Sequence, residues 1–193
     1  AFLTADIEEA KENIDKSNGW GNYMAAEYLP GENMTWLSIW ENGELIVAQG
    51  RKRVGWAYSS MSPSGVTGIT KIGTTFSSNE LDEISINCCK AVATDGRPHG
   101  IFGVDLKCDR NGIPNPTEIN ISRFFATVEF FEKAGLNMPA IFKELALYGR
   151  RPMLERTLNP LRDGLIWLRT LDDRPILTTK EEMEKTLTDW KSL

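Results

Sequence analysis

The pair Asn111-Gly112, between two strand-like segments, constrains the fold of this chain more than any other feature of its sequence. Asn-Gly favours the two-residue turn of a β-hairpin, and such a turn decides which residues of the two strands face each other. With the turn centred on this pair, Asp105 is predicted to lie directly opposite Glu118. Asn120 follows on the same face of the second strand, because side chains alternate along a strand.

The two opposed acids predict a bound cation. Like charges that face each other in a sheet destabilise it by up to about 1 kcal/mol. Asp, Glu and Asn offer the hard oxygen ligands that Mg²⁺ takes, and Gly103 leaves room beside Asn120. Two interpretations stay open on the spacing alone: Asp105, Glu118 and Asn120 hold a metal ion, or the acids face solvent and are kept apart by twist or paired with Lys107. A glycosidase acid pair is disfavoured, because nothing else in the sequence indicates a sugar cleft.

The composition is typical of a globular protein of one or two domains, since 41% of its 193 residues are hydrophobic and 25% are charged. With a net charge of −5 and scattered basic residues, neither a nucleic acid nor a membrane surface is an expected partner. No apolar run approaches the roughly 20 residues of a membrane span, and the cysteines lack metal-binding spacing. We therefore expect a cytoplasmic protein with reduced thiols.

A second Asn-Gly pair, at positions 42 and 43, predicts another hairpin. Its two-residue turn places Trp40 opposite Leu45 and Ser38 opposite Val47. The second strand then carries three polar residues on the face of those pairs: Gln49, Arg51 and Arg53. The two arginines are either solvated edge residues, or they face a phosphate or a substrate.

Hydrophobic periodicity and capping signals predict the remaining elements. Helices are expected at 4–16, from a cap at Ser77 to the region of Gly96, and at 122–135, 137–148 and 179–190. Strands are expected at 23–32 and 164–169. The Ser- and Gly-rich stretch 59–75 is expected to be an extended loop that leads into a strand. The predicted fold class is α+β, an antiparallel sheet with flanking helices.

The loop within 59–75 has two interpretations. Ser64, Gly65 and Thr67 either form a plain connection, or they bind an anionic substrate through free backbone N–H groups and hydroxyls.

Three segments of the chain stand out together: EYLPGE, RKRVGWAYSSMSPSGVTG and GVDLKCDRNGIPNPTEINISRFF. They resemble the second half of the ATP-grasp domain, in particular the carbamoyl-phosphate-synthase-like group of that superfamily. The resemblance covers residues 1–149 and leaves 150–193 as a C-terminal extension packed on this half-domain. It implies that Asp105, Glu118 and Asn120 hold the Mg²⁺ (or Mn²⁺) ions that bridge the phosphates of ATP. It also implies that Arg123 meets a phosphate or the acyl-phosphate intermediate.

The resemblance further implies a nucleotide site in EYLPGE. In this segment Glu27, Tyr28 and Leu29 would meet adenine through their backbone, and Glu32 would bind the ribose hydroxyls. Glu32 has an alternative role, because the register of the first hairpin, if it continues that far, pairs it with Arg53.

The implied function is part of an ATP- and Mg²⁺-dependent ligase. In such a reaction a small carboxylate becomes an acyl phosphate, which an amine or a similar nucleophile then displaces. The alternative is a non-catalytic nucleotide-binding, metal-binding or assembly module that retains the ATP-grasp fold.

Two departures from the family pattern qualify this expectation. We find no counterpart of the N-terminal half of an ATP-grasp unit, with its two lysines and Gly-rich loop, and the chain starts at Ala1 rather than Met. The missing half is therefore an expected partner, beside ATP, a small carboxylate and, as an option, a second copy in a homodimer. Trp36 is the other departure, because many relatives have an acid near this point.

Overall fold

In the described residues, the strands form one antiparallel sheet. The computed structural model describes residues 2–57, 69–169 and 174–191. The strands are β1 (Asn33–Glu41), β2 (Glu44–Ala57), β3 (Ile69–Thr75), β4 (Gly100–Cys108), β5 (Pro114–Ile121), β6 (Leu165–Leu168) and β7 (Ile176–Thr179). Their order across the sheet is β5-β4-β1-β2-β3-β6-β7, and neighbouring strands run antiparallel.

Helices lie on both faces of this sheet. They are α1 (Ile7–Lys16), α2 (Asn79–Val92), α3 (Glu129–Lys133), α4 (Met138–Tyr148) and α5 (Lys180–Lys191), with a short 3-10 helix at Thr94–Gly96. Buried residues of α2 pack with one side of the sheet, and those of α3 and α4 pack with the other. The predicted α+β class, an antiparallel sheet with flanking helices, is confirmed.

Strand β1 lies at the centre of the sheet between β2 and β4. Its neighbours Trp36 and Leu37 point to opposite faces, and both are fully buried. This explains why β1 reads as an almost continuous apolar segment: both of its faces are covered.

In the β4–β5 hairpin the two acids are paired as the sequence predicts. Asp105 pairs with Glu118, and Gly103 pairs with Asn120. The opposed carboxylates inferred from the Asn-Gly pair are therefore present.

The turn of that hairpin differs from the prediction. β5 begins at Pro114, so the loop runs over 109–113 and is longer than the expected two residues. Asp109 stabilises the longer loop, because its carboxylate accepts hydrogen bonds from the backbone N–H groups of Asn111 (2.8 Å) and Ile113 (2.9 Å). A β-bulge further along the hairpin then restores the predicted pairing of the acids.

The β1–β2 hairpin has its predicted turn, and Trp40 lies opposite Leu45 as expected. A β-bulge next to Trp40 then shifts the register by one residue, so Ser38 pairs with Ala48 and the predicted pairing with Val47 is wrong. A shift of one residue exchanges the two faces of β2, so the face predicted for its polar residues is wrong. Three polar residues of β2 lie on the face opposite Trp40: Gln49, Arg51 and Arg53.

The predicted strand at 23–32 is wrong. The segment has no strand pairing, and its backbone hydrogen bonds with β4 are at its end, where Gly31 N–H donates to Cys108 (2.9 Å) and Cys108 N–H donates to Glu32 (2.9 Å). Because Cys108 is the last residue of β4, the residues before Gly31 lie beyond the strand that could pair with them.

Three further details correct the sequence-based expectations. The N-cap of α2 is Ser78, whose hydroxyl accepts from Leu81 N–H (3.1 Å), and Ser77 instead donates to Asp163. The expected helix at 122–135 is limited to the short α3. β7 was not expected. Asp6 caps α1, Asn137 caps α4, and Thr179 with Glu182 caps α5.

The range 150–193 contributes two strands to the same sheet. β6 pairs with β3, and β7 pairs with β6. The division into a half-domain at 1–149 and an extension at 150–193 stays a prediction.

A buried polar network ties α2 to the sheet on the face opposite the arginines. The Trp36 indole donates to Asp82 (2.7 Å), and the Asn159 amide donates to both oxygens of the same carboxylate (2.8 and 3.1 Å). Gly50 N–H donates back to the Asn159 side-chain oxygen (2.9 Å). The departure at Trp36 thus has a structural reason: this residue is core, on the other side of the sheet from the predicted site.

None of the described helices is long and apolar enough to cross a membrane.

The three cysteines form no disulfide, and burial raises the pKa of Cys89 to about 12.

Replacement of Asn159 by Asp is expected to lower the free energy of unfolding by about 3 kcal/mol, because it puts a second carboxylate against the buried Asp82 and removes the amide donor. Urea denaturation followed by Trp fluorescence measures the change. The matched control is Asn18→Asp, since Asn18 is exposed and has nearly the same backbone φ (49° against 48°). The control is expected to cost less than about 0.5 kcal/mol. Equal losses at the two positions would contradict the importance of the network.

Candidate functional site

A row of polar residues crosses five strands on the face that α3 and α4 cover. Directly paired residues point to the same face of a sheet, and the pairing runs from β3 through β2, β1 and β4 to β5. The row, called the polar row below, consists of Thr75, Arg51, Thr35, Asp105 and Glu118.

A cavity of about 300 Å³ opens beside the polar row. Its lining combines charged and amide side chains of the sheet with aromatic and hydroxyl side chains of the segment after β5. The residues used below are Arg51, Arg53, Asp105, Asn120, Arg123, Phe125 and Thr127. The sequence-predicted arginines, Asp105 and Asn120 therefore share one cavity.

Arg53 forms an ion pair with Asp105 within this cavity. Both side chains are mostly buried, with 17% and 19% of their surface exposed. The guanidinium of Arg53 also lies 5.2 Å from the centre of the Trp56 ring. Its Nε atom is buried and has no hydrogen-bond partner among the described residues. The pair therefore leaves a buried donor of Arg53 available beside the cavity.

Arg51 is almost completely buried, with 3% of its surface exposed. Its Nε donates to the Thr35 hydroxyl (2.7 Å), its Nη1 donates to the Thr127 hydroxyl, and the guanidinium lies 4.7 Å from the centre of the Phe125 ring. Burial and the positive charge of Arg53 lower the pKa of Arg51 to about 9, against the opposing effect of Asp105. The guanidinium is thus still charged at neutral pH, with neutral hydroxyls as its hydrogen-bond partners.

Arg123 lies at the rim of the cavity and is largely exposed. Its Nη2 donates to the Asn120 side-chain oxygen and is 3.6 Å from a carboxylate oxygen of Glu118. With 68% of its side chain exposed, Arg123 is free to change its rotamer at small cost. The opposed acids therefore have guanidinium partners: Arg53 on Asp105 and Arg123 on Glu118.

The charges around the cavity favour an anionic ligand. The lining has three guanidinium groups and one carboxylate, Asp105, and the exposed Glu118 next to Arg123 adds a second carboxylate outside the lining. Positive charge is therefore in excess even when Glu118 is counted. Arg51 and Arg53 both lie in a mostly buried environment, where like charges repel more strongly than in water. An anion beside Arg53 would relieve this repulsion and accept hydrogen bonds from its guanidinium group.

The predicted metal ligands fit Mg²⁺ in their chemistry. The carboxylates of Asp105 and Glu118 face each other, and the oxygens of all three predicted ligands meet guanidinium groups. These oxygens thus already attract positive charge, as hard ligands for a cation do. Among the described residues, no three His, Cys, Asp or Glu side chains are placed to hold a metal ion. The predicted set has two acids and one amide, and it suits an ion that also keeps water or phosphate ligands.

The predicted nucleotide segment is divided between the two faces of the sheet. The Tyr28 ring lies 5.2 Å from the Lys107 ammonium, and Lys107 follows Asp105 on the cavity face of β4. Glu27 and Leu29 flank Tyr28 in the chain.

Glu32 lies apart from the polar row. Its carboxylate is 2.6 Å from the ammonium of Lys52, which in turn lies 4.1 Å from the centre of the Phe76 ring. Phe76 packs with the α2 side of the sheet, so Glu32 is not brought together with Asp105. The alternative partner considered for Glu32, Arg53, pairs with Asp105 instead.

Ser64, Gly65 and Thr67 lie outside the described residues, so the two interpretations of their loop stay open.

Sequence reasoning missed Thr35, Phe125 and Thr127 as members of the site. Thr35 would have been found from the hairpin register if the bulge in β2 had been known, because it pairs with both Arg51 and Asp105. The other two residues were assigned to a helix by their apolar periodicity. No local signal shows that Phe125 and Thr127 instead fold back onto the guanidinium of Arg51.

Comparisons with known proteins bear on the fold. No family model matches the chain, and no curated protein matches it either. Among solved structures, the chain is similar to an L-amino acid ligase from Bacillus licheniformis, with a TM-score of 0.52 and 14% sequence identity. The match covers 85% of this chain, but the chain spans only 40% of the length of that ligase. The likeness shows a fold shared with that ligase.

Replacement of Asp105 by Asn is expected to lower the free energy of unfolding by about 2 kcal/mol, because it removes the carboxylate nearest to two mostly buried guanidinium groups. The matched control is Glu118→Gln, which makes the same change in an exposed ion pair and is expected to cost less than about 0.5 kcal/mol. Urea denaturation at low ionic strength measures both. A loss at Glu118 as large as that at Asp105 would show that burial of the Arg53 pair is unimportant.

Proposed function

We propose that this chain is the C-terminal half of an ATP-grasp domain in an ATP- and Mg²⁺-dependent ligase of the carbamoyl-phosphate-synthase-like group. Such a ligase activates a small carboxylate as an acyl phosphate, which an amine or a similar nucleophile then attacks. The observation that carries the proposal is the cavity, where Asp105 and the Asn120 amide adjoin three guanidinium groups. Glu118 does not line the cavity, but it pairs with Asp105 across the two strands and lies next to Arg123 at the rim. The fold shared with a ligase supports it.

In this proposal the acids and the amide hold the metal. Asp105, Glu118 and Asn120 bind Mg²⁺ or Mn²⁺, which supplies neutralising charge for the phosphates of ATP. Arg53 and Arg123 must release these oxygens when the ion binds. Both guanidinium groups then have free donors for phosphate and carboxylate oxygens, which they bind in bidentate fashion.

The cationic side chains have separate tasks in the proposed reaction. Arg123 is the catalytic residue, because it moves from Asn120 and Glu118 to the transferred phosphate and stabilises its charge. Arg53, beside Arg51, binds the substrate carboxylate at the inner end of the cavity. Phe125 limits the access of water on the side of the segment after β5. Ser64, Gly65 and Thr67 are proposed to contact the substrate as well.

The nucleotide base is proposed to lie near Tyr28. Glu27, Tyr28 and Leu29 bind adenine, and Glu32 binds the ribose. Because Glu32 pairs with Lys52, the carboxylate must leave this ammonium to reach a ribose hydroxyl. An ATP-grasp N-terminal half is the proposed partner that completes the clamp on the phosphates, and a homodimer and a cytoplasmic location also stay proposals.

A second candidate is a non-catalytic nucleotide-binding, metal-binding or assembly module. It is favoured by one observation, namely that Asp105 and Glu118 already have guanidinium partners in Arg53 and Arg123 and so do not need a metal ion for charge balance. The two candidates differ in whether ADP is formed when ATP, a carboxylate and the complementary half-domain are added.

Mg²⁺-ADP is expected to bind to the chain, and Glu118→Gln is expected to weaken this binding about tenfold, because one metal ligand loses its charge. Isothermal titration calorimetry with and without Mg²⁺ measures the dissociation constants. The matched control is Glu83→Gln, an exposed glutamate of α2 on the opposite side of the sheet, which should leave binding unchanged. Equal binding by the wild type and Glu118→Gln, or no binding by either, would rule out the metal site.

Inorganic phosphate is expected to raise the melting temperature by roughly 3 °C at about ten times its Kd, compared with chloride at equal ionic strength. The reason is that it relieves the repulsion between Arg51 and Arg53. Arg53→Met should abolish the shift, whereas Arg110→Met, at an exposed arginine of the hairpin loop, should preserve it. Differential scanning fluorimetry measures the shift. If the shift persists in Arg53→Met, the anion binds elsewhere.

A further inference from the structure

Arg51 is a buried charge whose hydrogen bonds go to hydroxyl groups of the protein rather than to a carboxylate. We propose that Arg51 is a positioning residue: it clamps the segment 122–128, which carries Arg123, onto the sheet and thereby sets the position of Arg123 at the cavity. The proposal rests on the proposed function in one respect, that Arg123 binds the anionic ligand. It differs from the expectation that Arg51 itself contacts the substrate.

The guanidinium of Arg51 joins the sheet to the segment. Its Nε donates to Thr35 in the central strand β1, and its Nη1 donates to Thr127 in the segment. The Thr127 side chain is buried, so its hydroxyl needs a partner inside the protein. A guanidinium presents these two donors in a rigid plane, whereas a lysine ammonium is a single point on a flexible chain. The bridge therefore specifically requires arginine.

Phe125 makes the second contact between the segment and the sheet. Its ring lies against the Arg51 guanidinium and over Gly103. A Cβ atom added at Gly103 would be 2.8 Å from Cε1 of the Phe125 ring, closer than carbon atoms approach without displacement. The absence of a side chain at Gly103 thus lets the ring lie on the sheet, where it is held between strand β4 and Arg51.

Arg123 lies between two fixed points of the segment. On one side, Ser122 has φ of 63° and its N–H donates to Ile101 in β4 (2.8 Å), which makes the chain turn sharply at the end of β5. On the other side, Phe125 and Thr127 are held by Arg51. Arg123 is itself largely exposed, so its own packing does not fix its place. The direction of its backbone must come from these two attachments.

The electrostatics supports a specific role for Arg51. Burial of a cation without a carboxylate partner is unfavourable, and an apolar side chain of similar volume would fill the same space without that penalty. The neighbouring charge of Arg53 adds repulsion. A residue that only filled space would not need a guanidinium here, whereas the two-point bridge to Thr35 and Thr127 does.

Hydrogen exchange measured by mass spectrometry tests the clamp without any ligand. Arg51→Lys and Thr127→Val are each expected to speed amide exchange in 122–128 about tenfold, since either change breaks the bridge. The double variant should exchange no faster than the single variants, because both remove one interaction. Exchange in β1 and β2 should stay unchanged, and Arg150→Lys, at an exposed arginine paired with Glu144, serves as the matched control. Unchanged exchange in 122–128, or an equal increase throughout β1 and β2, would overturn the proposal.

Binding of Mg²⁺-ADP to single and double variants tests the effect on Arg123. In the wild type, Arg123→Gln is expected to raise the dissociation constant about tenfold, whereas in Arg51→Lys or Thr127→Val it should raise it less than about twofold, because Arg123 is already misplaced. If Arg51 contacted the ligand itself, the effects of Arg51→Lys and Arg123→Gln would multiply, and the proposal would be wrong. If no variant and no wild type bound the nucleotide, the proposed function would fail, and hydrogen exchange would still decide the clamp.

Discussion

The site depends on the cross-strand register at Thr35. This residue of the central strand pairs with Arg51 on one side and with Asp105 on the other, and Asp105 pairs in turn with Glu118. Side chains alternate along a strand, so a shift of one residue in any of these pairings would carry a charge to the α2 face, where most of the packed side chains are apolar. The polar row is thus possible only because the strands on both sides of β1 keep their register. Since β1 is buried on both faces, that register is strongly specified.

Charge balance explains why the acids and the arginines lie together. Opposed carboxylates in a sheet require a cation, and the guanidinium groups of Arg53 and Arg123 fulfil this role in the protein without a ligand. Arg51 has no such partner and is satisfied by hydroxyl groups instead. The cavity therefore has an excess of positive charge in a poorly solvated place, where a bound anion gains more than it would at the surface.

Local signals were reliable wherever local geometry decides the structure. The Asn42-Gly43 turn and the strand pattern of β6 follow from interactions within a few residues. Errors occurred where an inserted residue or a distant partner determines the structure. The β-bulge in β2 exchanged the expected faces of that strand, and the segment 23–32 lacks a strand because β4 ends at Cys108. In the β4–β5 hairpin two deviations compensated: Asp109 lengthened the loop, and a bulge restored the pairing of Asp105 with Glu118. The correct prediction of this pair therefore rested partly on an incorrect turn.

The sequence by itself determined that Asp105, Glu118 and Asn120 share one face of a hairpin, because alternation along a strand and the pairing of its acids are nearly local properties. The α+β class, an antiparallel sheet with flanking helices, was also predicted from the sequence and is the class that the structure has. Only the tertiary structure decided what surrounds these residues. In the tertiary structure Arg53 pairs with Asp105, and Arg51 is buried against Thr35 and Thr127. Glu32 lies towards the α2 face of the sheet, away from the polar row. Each of these contacts joins residues far apart in the chain, and each depends on the order of strands and on β-bulges. The strand order and the β-bulges are stabilised by packing across the whole sheet, so no short segment of the sequence determines them.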